Sequence, residues 1–165
     1  MKELILTKSY YTRVDDRAGE ILDHYTWYAN EKNRTTAFRS VYIHGWTYTL
    51  YLHRLICGVP QCFGVKWLNE NRLDNQYENF AIIDGLGNRY KFKPFTGKSD
   101  FKGVYWSAYN GLWEAKFFKM TIGYYTNEID AARAYNKKMN EIYIKPGRGR
   151  LNSIPVMNKY LRLNK

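Results

Sequence analysis

Residues 64–80 read GVKWLNENRLDNQYENF, and this stretch decides how the first half of the chain is interpreted. Its start is typical of the end of a β-strand, and the polar residues that follow predict a loop. Asp74 and Asn75 favour a defined loop shape, because Asp and Asn side chains hydrogen-bond to their own backbone. For residues 76–92 we expect a short strand followed by a helical turn.

Length and charge narrow the class of protein. The chain has 165 residues, enough for one sizeable core or two small modules. A hydrophobic content of 45% excludes wholesale disorder, and no apolar run approaches the ~18 residues that span a bilayer. The net charge of +11 is uneven: residues 1–95 hold 13 Lys and Arg against 10 Asp and Glu, and residues 96–165 hold 13 against 5. The second part, at +8, is expected to attract polyanions, nucleic acid first and anionic membrane second.

Aromatic residues make up 18% of the chain, including 16 Tyr and 5 Trp. Lys and Arg interleaved with aromatic residues suit a nucleic-acid surface, since rings stack or wedge while cations neutralise phosphates. The alternative is that these rings fill the cores of small β-rich modules.

The two cysteines, Cys57 and Cys62, lie close together in CGVPQC. No Cys or His partner pair completes a four-ligand zinc site, which favours buried free thiols in a reducing, cytoplasmic compartment over a disulfide. The N-terminus has charges close behind a short apolar patch, unlike a signal peptide.

The first part of the chain predicts mixed secondary structure. Residues 4–14 predict one strand, and Asp15 and Asp16 begin a short helix. The alternating stretches on either side of Gly45 predict a hairpin that runs into a short helix, ended by GVP at residues 58–60.

Residues 93–100, KPFTGKSD, have the composition of a linker and predict two domains, 1–95 and 96–165. Beyond the linker, FKGVYWSA, LWEAKFFK and TIGYYT predict a three-stranded antiparallel meander. NEIDAARAYNKKMNEIYI predicts a helix, with Thr126 or Asn127 as its cap. The Ala-rich side of this helix can pack on one face of the sheet and leave the other face free. Residues 145–165 predict a basic, partly extended tail.

Residues 101–152 resemble the Apetala/ethylene-response-factor type of DNA-binding domain. The resemblance is carried by Lys102-Gly103-Val104, Trp113-Glu114-Ala115, Ile122-Gly123-Tyr124, Glu128, AARAYN from Ala131 to Asn136, and Leu151-Asn152. In that family the exposed face of the sheet lies in the major groove, with Arg and Trp side chains on bases and phosphates. Tyr105 and Ser107 stand where plant members usually have Arg, so the resemblance implies an altered base readout.

Residues 4–92 resemble phage-type HNH homing endonucleases, which often carry this same DNA-binding module behind the nuclease. The matching segments are VDD, LDHYTWYA, LHRLICGVP and NENRLDNQYENF. The order of the two halves strengthens the resemblance. It implies a bacteriophage protein in a bacterial host, with a degenerate HNH (ββα-metal-like) domain and then a three-stranded antiparallel sheet packed on one α-helix, an α+β fold.

The resemblance also implies that the nuclease site is degenerate. In the family an Asp and a His supply a metal ligand and the general base, and here those positions are Lys66 and Trp67. Indole has no basic lone pair, and an ammonium stands where a dication is needed. Asn79 is retained, and the third ligand position falls near Lys91. Loss of the base alone is expected to lower the rate on the order of 10²–10⁴. His53 matches a family position and is interpreted as structural rather than catalytic.

Two hypotheses for the altered site stay open. In the first hypothesis, the site no longer hydrolyses DNA, and its cations and Trp67 bind the DNA backbone. In the second, the site has lost its function, and Trp67 fills the former metal pocket as part of the core. For the first hypothesis the contact residues in this part are Lys66, Trp67, Arg72, Arg89 and Lys91.

The candidate DNA contacts in the second part are aromatic, polar or basic residues of the predicted sheet and of the tail. They are Lys102, Tyr105, Trp106, Ser107, Trp113, Lys116, Phe118 and Lys119, with Arg148, Arg150, Lys159, Arg162 and Lys165. The alternative for Trp113 is that it faces the helix, and for the tail that its charges are only solvated.

The sequence therefore favours a double-stranded DNA-binding protein without nuclease activity and without a cofactor. One alternative is an active or nicking endonuclease that uses Mg²⁺ or Mn²⁺ with Asn79 and Asp74 near the metal. A second alternative is a basic module that inhibits an acidic host protein or a nucleic-acid enzyme. No membrane partner is expected.

Overall fold

The computed structural model describes residues 1–31, 35–60, 62–142 and 151–154. The chain is a mixed α+β protein that divides into two units, Met1–Thr96 and Gly97–Lys165. Its strands form small antiparallel sheets, and its helices are few. Within the described ranges, no helix combines the length and apolar content needed to cross a membrane.

The first unit begins with a two-stranded antiparallel sheet. Strands β1 (Lys2–Ile5) and β2 (Tyr11–Val14) pair with each other. The prediction of one continuous strand over residues 4–14 is wrong, because Lys8 and Ser9 adopt φ values of 62° and 61° and reverse the chain. Helix α1 (Asp16–Leu22) follows directly.

A three-stranded sheet and a short helix come next. The strands are β3 (Tyr28–Asn30), β4 (Thr36–Ile43) and β5 (Trp46–Tyr51), in that order across the sheet. The β4–β5 hairpin turns at Gly45 and leads straight into α2 (Leu52–Cys57), as the alternating pattern predicts. Helix α2 ends at Gly58, whose φ of 62° suits glycine.

The cysteines depart in part from expectation. Both thiols are free, but only Cys57 is buried, whereas Cys62 is exposed. Burial raises the pKa of the Cys57 thiol above its ordinary value. The expectation of two buried thiols is therefore wrong for Cys62, which lies in a turn beyond α2.

A third sheet contains β6 (Gly64–Trp67), β7 (Phe80–Ile83) and β8 (Arg89–Tyr90), in that order. The helical turn expected after the strand lies before it, at Tyr77–Asn79. After β7 the chain reverses, because Asp84 Oδ1 accepts hydrogen bonds from the backbone N–H groups of residues 86 and 88 at 2.8 and 2.9 Å. A strand therefore stands where a ββα arrangement would place its helix.

The second unit is a three-stranded antiparallel sheet with one helix against it. Strands β9 (Val104–Ser107), β10 (Leu112–Phe117) and β11 (Met120–Tyr125) form a meander with β10 in the centre. Helix α3 (Glu128–Ile142) follows and contacts all three strands. Asn127 is its cap, since its Oδ1 accepts a hydrogen bond of 2.9 Å from the backbone N–H of residue 130.

The helix and the sheet approach each other most closely at Gly103. Its φ is 69°, and a Cβ there would lie 2.2 Å from Cδ2 of Tyr135 on α3. Asn152 closes the same end of the unit: its side chain bonds both backbone groups of Lys102, and its own backbone bonds the amide of Asn136. The LN pair at the end of the module thus fastens the start of β9 to α3.

Replacing Gly103 with Ala is expected to destabilise the second unit by at least about 2 kcal/mol, because left-handed backbone and a steric clash combine. Hydrogen exchange of the α3 amides measures the effect. The matched control is Gly87→Ala, where φ is 85° but a Cβ would meet nothing within 4 Å. Equal effects of the two substitutions, each on its own unit, would contradict the close approach.

Candidate nucleic-acid interface

A network of amide side chains holds the loop between β6 and β7. The amide of Asn79 donates to Asn69 Oδ1 at 2.8 Å and to the carbonyl of Asp74 at 2.8 Å. Its Oδ1 accepts from the backbone N–H of Asn69 at 3.1 Å, and the Asn69 amide donates to Asp74 Oδ2 at 2.7 Å. Asn79, predicted as a retained site residue, is therefore engaged at both amide atoms in shaping the loop.

The same loop is fastened to strand β2. The backbone of Arg13 bonds to Leu73 O and to Asn75 N at 2.8 and 2.7 Å. The Asn75 side chain, 1% exposed, donates to Thr12 Oγ1 at 2.7 Å. These bonds make the loop a rigid part of the first unit, and they agree with the loop-shaping role expected of Asn75.

Trp67 lies half-buried among other rings of the first unit. Its ring centroid is 4.7 Å from that of His53 and 5.8 Å from that of Phe80, which pairs with it across β6 and β7. The guanidinium of Arg72 lies 5.4 Å from the Trp67 ring, within cation–π range. The indole thus packs against these neighbouring side chains instead of projecting into solvent.

A shallow cleft of about 170 Å³ opens beside this cluster. It is lined by Val65, Lys66, Trp67, Glu70 and Arg72. Two cations and one carboxylate therefore share it, and Lys66 is exposed. The other two cations predicted for this surface do not line the cleft: Arg89 is exposed on β8, and Lys91 is exposed just beyond it.

The nuclease alternative places Asn79 and Asp74 near a metal, and these two residues are neighbours joined by a hydrogen bond of 2.8 Å. Over the ranges that the structure describes, no group of three or more His, Cys, Asp or Glu side chains is placed to hold a metal ion. His53, the histidine nearest to Trp67, has its pKa lowered to about 3 by burial and by the charges of Arg54 and Arg72. It is neutral at physiological pH and packs against the indole.

Helix α3 packs on one face of the sheet of the second unit. The opposite face, on which Leu112 and Glu114 are buried whereas Tyr105 and Thr121 are exposed, is here called the open face. Side chains alternate along a strand, and the register places Tyr105, Glu114 and Tyr124 side by side. The open face consists of Tyr105, Ser107, Leu112, Glu114, Lys116, Thr121 and Tyr124. Tyr105 is 55% exposed and Leu112 is buried.

Buried Glu114 organises this open face. Lys116 Nζ lies 2.9 Å from Glu114 Oε2, and Thr121 Oγ1 donates to Oε1 at 2.6 Å. The hydrogen bond to Glu114 raises the pKa of Lys116, so this cation persists at physiological pH. The Lys116 ammonium also lies 6.0 Å from the Tyr105 ring. A cation and an exposed ring are therefore held next to each other on this surface.

Two predicted contacts lie on the other face and need correction. Trp113 is 3% exposed and faces α3, so it belongs to the core and not to a DNA surface. Trp106 pairs with it across β9 and β10, with ring centroids 5.3 Å apart, and is only half-buried. The physical reason is the two-residue period, which puts both rings on the side of buried Val104 and Ala115.

The remaining predicted contacts fall at the ends of strands. Lys102 is exposed just before β9, and Ser107 accepts hydrogen bonds from Asn110 in the β9–β10 turn. Phe118 and Lys119 are exposed at the tip of the β10–β11 hairpin, here called the hairpin tip. Arg148, Arg150, Lys159, Arg162 and Lys165 lie outside the described residues.

Sequence reasoning missed some members of the open face. Tyr124 and Thr121 were not predicted, and Glu114 was read only as part of a motif. The signal that could have found Glu114 is its spacing, since it stands two residues before Lys116 in the same strand. The assignment of Thr121 and Tyr124 to this face depends on how β11 pairs with β10. The register of that pairing shifts between Ala115 and Lys116 of β10.

Comparison of the chain with protein-family models, with curated proteins and with solved structures finds no match.

The neutral His53 makes stability depend on pH. Its folded pKa of about 3 lies below the ordinary unfolded value of 6.5, so the unfolded chain binds more protons between these values. This contribution to stability is complete above pH 6.5 and is lost as the pH falls toward 3. Urea unfolding at pH 7 and pH 5 is expected to show wild type losing on the order of 1–2 kcal/mol more than His53→Gln. Identical losses would mean that His53 is protonated in the fold.

Proposed function

We propose that this chain is a double-stranded DNA-binding protein that uses the open face of its second unit and does not cleave DNA. The observation that carries the proposal is the pairing of Lys116 with the exposed ring of Tyr105 on a sheet face that α3 leaves uncovered. A twisted strand surface of this kind can enter the major groove, where cations meet phosphates and rings meet sugars or bases.

The charge distribution supports a polyanionic partner. The second part of the chain has an excess of eight positive charges over residues 96–165. The carboxylate of Glu114, 7% exposed, and the ammonium of Lys116 form an ion pair, so this part of the open face presents little net charge of either sign to an incoming phosphate. Lys102 and Lys119 add exposed cations at two strand ends. The resemblance of residues 101–152 to a sheet-type DNA-binding domain points to the same partner.

For the first unit we propose descent from a homing endonuclease of the HNH type, with the chemistry lost. The support is the residue pattern together with the seating of Trp67, whose ring packs against His53 where a base would have to face water and phosphate. Exposed Lys66 disfavours a dication beside it. Of the two hypotheses for the altered site, the half-buried indole favours a filled pocket, and Lys66 in the cleft is exposed to a backbone phosphate.

Binding to random duplexes is expected to weaken linearly in log affinity against log salt. Lys119→Gln should make the slope less negative by about 0.9, because one phosphate contact is lost. The matched control, Lys93→Gln, removes an exposed cation from the first unit and should leave the slope unchanged. Equal slopes for all three proteins would contradict a role of the hairpin tip. Absence of binding at low salt, with a stable complex formed on an acidic protein, would favour the protein-binding alternative.

Supercoiled plasmid incubated with Mg²⁺ or Mn²⁺ is expected to remain uncut, because neither Trp67 nor Lys66 can activate water or hold a dication. The control for contaminating nuclease is Asn79→Ala. Clean nicking by wild type that is abolished in Asn79→Ala would overturn this half of the proposal and establish the nuclease alternative.

A further inference from the structure

The hairpin tip presents a large apolar ring to solvent. Phe118 is 82% exposed, and Met120, which opens β11, is 58% exposed. Folding stability gains little from a ring that remains in water, since apolar burial is what stabilises. The exposure of Phe118 is therefore not explained by the packing of the second unit.

The backbone conformation at the hairpin tip is also energetically unfavourable for a phenylalanine. Phe118 has a φ of 52°, a left-handed conformation that Gly or Asn adopts easily and a bulky residue rarely does. A two-residue hairpin connection is commonly built from Gly, Asn or Asp. Strain held in a bulky residue at a tight turn is often associated with a functional role of its side chain.

The residues around Phe118 indicate which kind of ligand its ring could contact. The Phe117 ring lies edge-on to it with centroids 4.6 Å apart, which supports the ring from one side. Lys119 follows at the tip, and Lys116 lies on the open face at the same end of β10. An apolar ring beside two cations is suited to a ligand that has anionic groups on its surface and stacked apolar groups in its interior. A base step of duplex DNA has that chemistry, because its phosphates flank its stacked bases.

We propose that Phe118 is a wedge that enters between two base pairs and kinks the duplex when the open face binds DNA. The inference rests on the proposed DNA-binding function and adds a mechanism to it. Insertion unstacks one step and kinks the helix. Apolar wedges of this kind occur in minor-groove binders, and here the ring would enter from the major groove, beside the open face. Flexible pyrimidine–purine steps such as TA deform most easily and are the expected place of entry.

The test uses the full chain and a short duplex with TA steps, labelled at its two ends for energy transfer and carrying 2-aminopurine at one TA step. Wild type is expected to shorten the end-to-end distance and to raise the 2-aminopurine fluorescence, which reports unstacking. Phe118→Leu keeps an apolar wedge and should retain both signals. Phe118→Asn should bind an unbent duplex, with affinity reduced on the order of tenfold.

A measurement of thermal stability distinguishes a role of Phe118 in DNA bending from a role in holding the fold together. Phe118→Asn relieves the left-handed strain, so its thermal unfolding midpoint is expected to equal or exceed that of wild type while bending is lost. A Phe118→Asn protein that bends DNA as wild type does would overturn the wedge, as would a wild-type complex in which the duplex stays straight. Either result leaves the proposed DNA binding intact. If wild type binds no duplex at low salt, the proposed function and the wedge fail together.

Discussion

The contact between Gly103 and Tyr135 determines which surface the second unit offers to a partner. Because a hydrogen is all that fits between the start of β9 and α3, the helix lies directly on one side of the sheet. The two-residue period then sends Trp113 and Ala115 into the core and Tyr105 and Lys116 to the opposite side. Asn152 joins the same end of the sheet to α3 through hydrogen bonds to Lys102 and Asn136. The close approach at Gly103 thus allows α3 to lie against this end of the sheet, and the strand period leaves Tyr105 and Lys116 on the opposite face.

In the first unit, the loop between β6 and β7 is held by hydrogen bonds among its own residues. The Asn69, Asp74 and Asn79 network shapes the loop through bonds among its own amides and carbonyls, and none of these bonds requires a metal. Trp67 packs beside neutral His53 at the start of that loop. Loop geometry and hydrolytic chemistry therefore depend on different residues, which is why a sequence can resemble a nuclease at the loop while lacking a base.

The sequence predicted the second unit well and the first unit in part. Strands and helix in residues 104–142 follow clear periodicities, and the cap at Asn127 is local, so no distant contact was needed. The failures depend on backbone conformation or on pairing. Left-handed Lys8 and Ser9 split the first strand, and the Asp84 turn produced β8. For Trp113 the sequence left a DNA contact and a position facing the helix both open, because the alternation along a strand does not tell on which face a helix packs; its burial favours the second.

The measurement that tests the central claim most directly is the mapping of backbone and side-chain NMR shifts as a short duplex is added. The largest changes are expected on Tyr105, Lys116 and the hairpin tip, and the exposed Asn140 of α3 is expected to stay unchanged. Changes concentrated on α3, or on the cleft of Lys66 and Arg72 alone, would contradict it.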